Sequence, residues 1–353
     1  MNKFLHDVVT GQNRGPAALA LKPLLWVLSL LYAFGVACRR WAYFAGIRKS
    51  YSTGVPVISV GNITAGGTGK TPFTIYLAQK IAAAGKRPAI LMRGYMSESG
   101  AVSDEAEMLR RKLIDVPVLV SPDRVRSARE SLFRDGPDVF ILDDGFQHWK
   151  IRRDLDIVIL DLVNPFGNGG LLPFGILRES KSQLKRADLL VLNRADMAPD
   201  RIPAMYRELR KINPRAGIVE SAQAPIAVEE LSWEEGTLGE VDPGLVSGSI
   251  CACSAIGSPE GFAVTLRAMG AELVHHEIFI DHHVYTADDV QKMLDVCRLR
   301  KVDRLVTTQK DIVKLLPFRE MFRDIRLMAV VIAVQVLKGE NEINLRLNSL
   351  LHS

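Results

Sequence analysis

Residues 55–72 constrain the fold of this chain more than any other stretch. They read VPVISVGNITAGGTGKTP. The apolar, β-branched run from Val55 to Val60 predicts a buried strand, and Pro72 is typical of a helix start, where its missing N–H costs nothing. A glycine-rich turn that joins such a strand to a helix and ends in Lys-Thr indicates a phosphate-binding loop.

Each part of this loop has an expected role. The glycines let backbone N–H groups point at phosphate oxygens, the lysine reaches the β- and γ-phosphates, and the threonine hydroxyl holds Mg²⁺. A glycine-rich turn without a ligand is the alternative, but glycines before Lys-Thr are entropically costly in a simple connection. The loop also departs from the usual pattern, with Thr64 at a glycine position. The predicted nucleotide-binding residues are Gly66, Gly67, Thr68, Gly69, Lys70 and Thr71.

Short, continuous apolar runs alternate with helical stretches after the loop, which predicts an α/β fold with a doubly wound parallel sheet of the P-loop NTPase type. Ligands collect at the carboxyl ends of such strands. The predicted strands after the loop are residues 89–92, 116–120, 139–142, 157–160 and 189–192.

The 353 residues allow two domains and an appendage. We expect an N-terminal segment (1–50), a P-loop kinase core (51–223), a linker (224–244) and a smaller C-terminal α/β domain (245–353). The linker is suggested by an acidic stretch that contains proline and glycine and interrupts the strand–helix rhythm. The nucleotide is expected in the cleft between the two domains.

The N-terminal segment contains the most apolar stretch, Ala17 to Cys38, whose only charge is Lys22. With the lysine snorkelling, this stretch approaches the ~30 Å thickness of a bilayer core. Aromatic residues flank it, and Arg39 and Arg40 follow, so the positive-inside rule places the rest of the chain in the cytoplasm. A signal peptide and a buried helix of the soluble core are the alternatives. We expect a membrane helix at the cytoplasmic face of the inner membrane, either spanning or interfacial.

Carboxylates end the strand predicted at 139–142. Asp143 is expected to bind Mg²⁺ opposite Thr71, with Asp144 as a catalytic residue beside Lys70. The following turn carries Gln147 and His148, whose polar groups are expected to face the same cleft and contact substrate.

Three arginines lie near predicted strand ends or helix starts, where guanidinium groups can contact phosphates. They are Arg93, Arg124 and Arg178.

The net charge of +5 is mild, and the sequence contains no dense basic block, so nucleic acid is not an expected partner. An ATP-using enzyme that acts as a monomer is expected.

Two further groups are ambiguous when considered alone. Asp104 opens a possible capping box with Glu107, and His282 and His283 follow Asp281 without a companion metal ligand at suitable spacing.

Several motifs together resemble one family, the tetraacyldisaccharide 4′-kinases (lipid A 4′-kinases). The resemblance runs from about residue 20 to 315, and the loop together with LDDGFQH is highly specific. The motifs are residues 61–72, 93–95, 142–148, 153–161, 165–173, 177–179, 184–188, 281–283 and 307–311. Departures occur at Ser103, Ala106 and Gln309, and the segment before Asp104 is shorter than usual.

The resemblance implies that the γ-phosphoryl group of ATP is transferred to the 4′-hydroxyl of an acylated glucosamine disaccharide 1-phosphate. It also implies a membrane-associated N-terminal helix and an Asp–His pair as the base. The matching positions are Asp104 and the doublet His282 and His283, between which the resemblance does not choose.

Two other classes share part of this pattern. Regulatory P-loop ATPases of the partition or metallochaperone type share Gly-Gly-x-Gly-Lys-Thr, but those with the deviant loop carry lysine where this chain has Ala65, and they lack an N-terminal membrane helix. A nucleotide-binding scaffold without transfer chemistry would not need Asp104 and the histidine doublet.

Overall fold

The structure is a computed structural model that describes residues 15–93, 104–134, 136–280 and 283–351. Within these ranges the side chains of residues 16–20 and of Asp104 lie outside the description. The chain divides into two compact units. The first unit comprises Met1–Ala222 and Val334–Ser353, and the second comprises Gln223–Ala333.

The first unit is built on a parallel sheet in the order β7-β6-β5-β1-β4-β2-β3. Its strands are buried along nearly their whole length, as expected for a sheet covered on both faces. They are β1 (Val57–Gly61), β2 (Pro88–Met92), β3 (Val118–Val120), β4 (Val139–Asp143), β5 (Leu155–Asp161), β6 (Leu189–Asn193) and the start of β7 (Gly217–Leu231).

Helices cover both faces of this sheet. The described helices of the first unit are α1 (Pro16–Phe44), α2 (Lys70–Ala83), α3 (Asp104–Lys112), α4 (Arg124–Arg134), α5 (Ile202–Ile212) and, after the second unit, α9 (Glu340–Leu351). On one face Ile58 and Val60 pack with α2, α3 and α9. On the other face Val57 packs with α4, and Leu160 packs with α5.

The order of the strands places a topological switch point at β1. From β1 the chain forms β2, β3 and β4 on one side, and it then forms β5, β6 and β7 on the other. In doubly wound sheets the ligand crevice lies where the winding reverses, outside the carboxyl ends of the strands. The doubly wound sheet predicted from the sequence is confirmed, and the glycine-rich loop follows its central strand.

The second unit has a smaller parallel sheet in the order β10-β9-β11-β12. The strands are β9 (Gly248–Ser254), β10 (Ala271–Ile278), β11 (Arg304–Thr308) and the first part of β12 (Arg326–Lys338). Its helices are α6 (Pro259–Ala268), α7 (Ala287–Leu299) and α8 (Gln309–Leu315).

Two of the predicted boundaries are wrong. Residues 224–244 are not a linker, because the second half of β7 pairs antiparallel with β8 (Leu238–Val241), and Val228 and Leu231 are buried there. Residues 334–353, assigned to the C-terminal domain, belong to the first unit, because Ile343 and Leu347 of α9 pack into its core.

Helix α1 touches the first unit at a few points only. Leu25 is buried, and the Tyr32 hydroxyl donates to the carbonyl oxygen of Arg178 at 3.1 Å. The most apolar 18-residue window of Leu21–Phe44 has a mean hydropathy of 1.7, and only 11% of that window is buried, so this helix is not part of the core of the first unit. By length and composition the helix could cross a membrane, which agrees with the predicted apolar N-terminal helix.

Candidate active site

The glycine-rich loop connects β1 to α2 at the carboxyl edge of the first unit's sheet. Gly66 has φ 111° and Gly69, the N-cap of α2, has φ 89°, so both positions need a residue without a Cβ. Gly66 and Gly67 are exposed to solvent. The loop therefore presents backbone next to the N-terminus of a helix of 14 residues, an arrangement that favours an anion.

Thr68 is turned into the protein. Its hydroxyl accepts a hydrogen bond from Asn62 Nδ2 at 3.0 Å, and its carbonyl oxygen accepts one from Asn193 Nδ2 at 2.9 Å. Ser221 Oγ in turn donates to Asn193 Oδ1 at 3.3 Å. Thr68, predicted among the nucleotide-binding residues, thus also ties the loop to the ends of β1 and β6.

The surroundings of the two aspartates at the end of β4 shift their pKa values in opposite directions. Asp143 is 4% exposed and accepts a hydrogen bond from Thr74 Oγ1 at 3.2 Å. Burial, reinforced by the Glu105 carboxylate and opposed by Lys70, raises the pKa of Asp143 to about 6. This carboxyl group can therefore exchange a proton near neutral pH.

Asp144 has the opposite shift. Burial raises its pKa, but the charges of Lys70 and Arg178 outweigh burial and hold the pKa below its usual range. Arg178 Nη1 lies 2.9 and 2.8 Å from the two carboxylate oxygens, and Lys70 Nζ lies 3.6 Å from Oδ1. Asp144 has a left-handed φ of 48°, which places its side chain beyond the strand end. The structure thus brings together three of the predicted site residues, Lys70, Asp144 and Arg178.

The oxygen donors of this edge fit a small hard cation. Asp143 supplies a buried carboxylate, and Thr71 lies half-buried in the first turn of α2. In the described residues no group of three or more His, Cys, Asp or Glu side chains could hold a metal ion alone. Mg²⁺ suits such a sparse donor set, because it keeps several waters and takes the remaining ligands from phosphates.

The turn after Asp144 is held by a buried ion pair. Gln147 Nε2 donates to the Asn62 carbonyl oxygen at 2.8 Å and lies 3.4 Å from Glu179 Oε2. Arg186 Nη2 pairs with Glu179 at 2.6 Å, and its guanidinium lies 4.1 Å from the ring centre of Phe146. The Gln147 amide nitrogen, predicted to face substrate, is thus engaged in fixing the turn to the end of β1.

His148 is neutral at physiological pH. Burial and then the charges of Arg124 and Arg153 lower its pKa to about 4. Its Nε2 atom is buried without a hydrogen-bond partner in the structure. Arg124, 4% exposed at the start of α4, also lowers the pKa values of Asp143 and Asp144 through its charge.

Arg93 and Asp104 flank residues 94–103, which lie outside the described ranges. Arg93 is exposed directly after β2. The backbone of Asp104 opens α3, but its side chain lies outside the description. Its neighbour Glu105 raises the pKa of Asp143, which places the start of α3 near the end of β4.

The histidine doublet belongs to the second unit, where Asp281 and His282 lie outside the described residues. His283 Nε2 lies 3.0 Å from Asp289 Oδ2, and its ring stacks on Phe279 with 4.6 Å between centroids. Asp289 also caps α7 together with Thr286. The pairing of Asp104 with one of the histidines stays a prediction, since the two elements lie in different units.

Sequence reasoning missed several residues that hold the site. Each had a recognisable sign. Asn193 is the polar residue that ends an apolar strand, Thr74 lies one turn after Lys70, and Asp289 is three residues after a threonine at a helix start. Glu179 and Arg186 lie in the motifs 177–179 and 184–188, which carry the family resemblance but do not by themselves indicate that the two side chains form an ion pair.

Comparisons with known proteins agree on one family. The family described as Tetraacyldisaccharide-1-P 4′-kinase matches residues 21–352. The tetraacyldisaccharide 4′-kinase of Halothermothrix orenii is 35% identical over 328 residues, which cover 85% of each chain. The tetraacyldisaccharide 4′-kinase of an Anaeromyxobacter species is 38% identical over 352 residues, covering 94% of this chain and 92% of that protein. The crystal structure of LpxK from Aquifex aeolicus in complex with ATP is similar at a TM-score of 0.70 and 27% identity, covering 94% of this chain and 99% of that one.

Proposed function

Because the chain belongs to the tetraacyldisaccharide-1-P 4′-kinase family, we propose that it transfers the γ-phosphoryl group of ATP to the 4′-hydroxyl of an acylated glucosamine disaccharide 1-phosphate. The observation that carries the proposal is the cluster of Lys70, Asp144 and Arg178 beside the glycine-rich loop. A regulatory P-loop ATPase is not favoured, since the family match spans nearly the whole chain.

The nucleotide phosphates lie on the glycine-rich loop. Backbone N–H groups of Gly66, Gly67 and Gly69 donate to phosphate oxygens, supported by the dipole of α2. Lys70, only 15% exposed and 3.6 Å from Asp144, carries the positive charge that meets the β- and γ-phosphates. ATP binding by the Aquifex relative supports this placement.

Thr71 and Asp143 would hold Mg²⁺, with the remaining ligands from water and phosphate. The cation supplies charge neutralisation on the β- and γ-phosphoryl oxygens. Asp143 would bind the cation as a carboxylate. Arg178 and Arg124 supply further positive charge at the same edge.

The acceptor hydroxyl needs a proton acceptor, since a sugar hydroxyl is a poor nucleophile at neutral pH. His282 accepts the proton as the O–H bond breaks and the new O–P bond forms. The bond from the γ-phosphorus to the bridging oxygen breaks, and its electron pair leaves with ADP. Asp104 orients the imidazole and stabilises its cation. We choose His282 because the Nε2 atom of His283 is already engaged by Asp289 at 3.0 Å.

Helix α1 keeps the enzyme at the membrane that holds its lipid substrate. Its exposed apolar residues include Trp26, Leu31, Phe34 and Phe44. Arg39 and Arg40 follow the apolar core, which assigns the catalytic units to the cytoplasmic face of the inner membrane.

One assay tests the proposal. Detergent-solubilised full-length protein, labelled ATP, Mg²⁺ and an acylated disaccharide 1-phosphate should yield a labelled 4′-phosphate product. Asp104→Ala and His282→Ala should each lower kcat by roughly 10²–10⁴-fold with little change in ATP affinity. The kcat of the double variant should be no lower than that of the less active single variant, because either change disables the same pair of residues.

His275→Ala is the matched control. This histidine also lies in the second unit and also pairs with a carboxylate, Glu277 Oε2 at 3.0 Å. It should keep near-normal turnover. A wild-type protein that hydrolyses ATP but never labels the acceptor would reject the proposed reaction, whereas losses that simply multiply would reject the dyad alone.

A further inference from the structure

We propose that Tyr32 is a positioning residue for the phosphoryl transfer, because it ties helix α1 to the backbone of Arg178, whose guanidinium holds Asp144. The inference rests on the proposed function for its catalytic consequence, but its structural part is independent of the substrate. Every residue that carries it belongs to the first unit. It concerns the segment 174–178, which contacts both α1 and the start of the glycine-rich loop.

One face of α1 rests on the first unit. Leu25 and Ser29 are buried, and Tyr32, which follows three residues later, is half-buried. Residues at this spacing lie on the same face of a helix. Leu31 and Phe34, in contrast, are exposed. The Tyr32 hydroxyl therefore belongs to the face that meets the first unit, and its removal leaves the exposed apolar face unchanged.

Helix α1 contacts the segment 174–178 at both of its ends. Leu25 packs against Phe174, the first residue of the segment. The Tyr32 hydroxyl donates to the carbonyl oxygen of Arg178, the last residue, at 3.1 Å. Tyr32 and Arg178 are 146 residues apart in sequence, so this contact depends on the tertiary fold.

The segment is also paired with the start of the glycine-rich loop. The Ala65 N–H donates to the Ile176 carbonyl oxygen at 2.7 Å. The Arg178 N–H donates to the Ile63 carbonyl oxygen, also at 2.7 Å. Neither bond involves Tyr32, so both continue to hold the loop against the segment when the Tyr32 hydroxyl is removed.

Arg178 connects this segment to the charged groups of the candidate active site. Its backbone N–H and carbonyl oxygen are engaged by Ile63 and Tyr32. Its Nη1 atom lies 2.9 and 2.8 Å from the two carboxylate oxygens of Asp144, and Lys70 Nζ lies 3.6 Å from the same carboxylate. Charged groups stabilise a transition state best when they are fixed before the reaction. The contact from α1 therefore helps to fix a cation at the site of transfer.

Tyr32→Phe removes the hydroxyl and keeps the ring. A misplacement of about 1 Å can cost roughly 10²-fold in rate, and Arg178 keeps its other contacts, so we expect a smaller loss of about 3- to 10-fold in kcat. The KM for ATP should stay within about twofold, because the loop remains paired with the segment. The KM for the lipid acceptor should also stay within about twofold, because the exposed face of α1 is intact.

Tyr43→Phe is the matched control. Tyr43 lies near the end of the same helix and stacks on Trp149 with 6.5 Å between ring centroids, and the substitution keeps that ring. Its kcat should equal that of the wild type. A second measurement, amide hydrogen exchange of residues 174–178 in the full chain without substrate, should be faster in Tyr32→Phe than in the wild type or Tyr43→Phe. Leu25→Ala, which removes the contact with Phe174, should also speed this exchange.

Three results would overturn the proposal. If exchange of residues 174–178 is the same in Tyr32→Phe and the wild type, α1 does not hold the segment. If exchange is faster but kcat is unchanged, the position of Arg178 does not matter for transfer. If Tyr32→Phe raises the KM for the lipid acceptor or weakens sedimentation with membranes, Tyr32 serves the membrane anchor instead. A wild-type protein that never phosphorylates the disaccharide would reject the proposed function, and the exchange measurement would still decide whether α1 holds the segment.

Discussion

Replacing Asn193 by alanine tests whether the phosphate-binding loop depends on the sheet beneath it. Asn193 ends β6, is 2% exposed, and donates to the Thr68 carbonyl oxygen at 2.9 Å. The substitution removes this donor and leaves a buried carbonyl group without its partner. Ser221 also loses its acceptor on Asn193, although that bond is longer, at 3.3 Å.

The cost can be worked from these contacts. A buried acceptor left unsatisfied costs about 1–3 kcal/mol, and loss of the longer Ser221 bond adds at most about 1 kcal/mol. We therefore expect a total destabilisation of about 1–4 kcal/mol. Gly66 and Gly67 are exposed, so the loop can relax locally and take up part of this cost as a shift away from the binding arrangement. A shift of about 1.4 kcal/mol weakens ATP binding about tenfold.

The assay is calorimetric titration of Mg·ATP together with a thermal melt of each variant. Ser221→Ala is the matched control, since it keeps the Asn193–Thr68 bond, and its Kd for ATP should change less than about twofold. The reasoning is refuted if Asn193→Ala binds ATP as tightly as wild type, whether or not its melting temperature falls, because the contact then supports the fold and not the loop.

Three further predictions concern the site and the membrane helix. Lys70→Ala should abolish phosphoryl transfer without unfolding the protein, because charge stabilisation of the γ-phosphate is lost; near-normal turnover at saturating ATP would contradict the site assignment. The pKa of Asp143 is raised from 3.8 to about 6, so its contribution to stability is present below pH ~4 and is lost as the pH rises through about 6. Without Mg²⁺, Asp143→Asn should therefore stabilise the protein at pH 8 by about 2–3 kcal/mol and much less at pH 4; equal melting-temperature shifts at both pH values would exclude the raised pKa. Deleting residues 1–45 should weaken sedimentation with membranes and raise the KM for the lipid acceptor more than that for ATP; a truncated protein that still sediments with membranes would exclude the anchor.

Local sequence patterns determined the framework of this protein. Continuous apolar runs predicted β1 to β6, because strands buried on both faces need no alternation. The buried start of β7 (Gly217–Leu231) was not predicted. The glycines around Lys70 specified a turn that few other residues can form, since Gly66 and Gly69 have positive φ. The position of Asp143 and Asp144 after a strand placed them at the ligand edge once the sheet was known to be parallel.

Segments near a unit boundary were less determined by local pattern. Residues 224–244 carry proline, glycine and acidic residues, which favour a loop, but a long strand with a partner buries Val228 and Leu231. The final helix returns to the first unit because Ile343 and Leu347 complete that core. Which core an amphipathic segment completes depends on surfaces supplied by distant parts of the chain.

Contacts within the site were decided by tertiary structure. Asn193 and Thr68 are 125 residues apart in sequence and meet because a single strand, β5, lies between β6 and β1 in the sheet. Arg178 and Asp144, which also form a hydrogen bond, are 34 residues apart. Strand order and register set these distances, and the local pattern of apolar and polar residues predicts neither of them. The sequence by itself therefore determined which residues are available for phosphate chemistry. Only the folded sheet decided which of them meet, as in the contacts of Thr68 with Asn62 and Asn193 and of Gln147 with the Asn62 carbonyl oxygen.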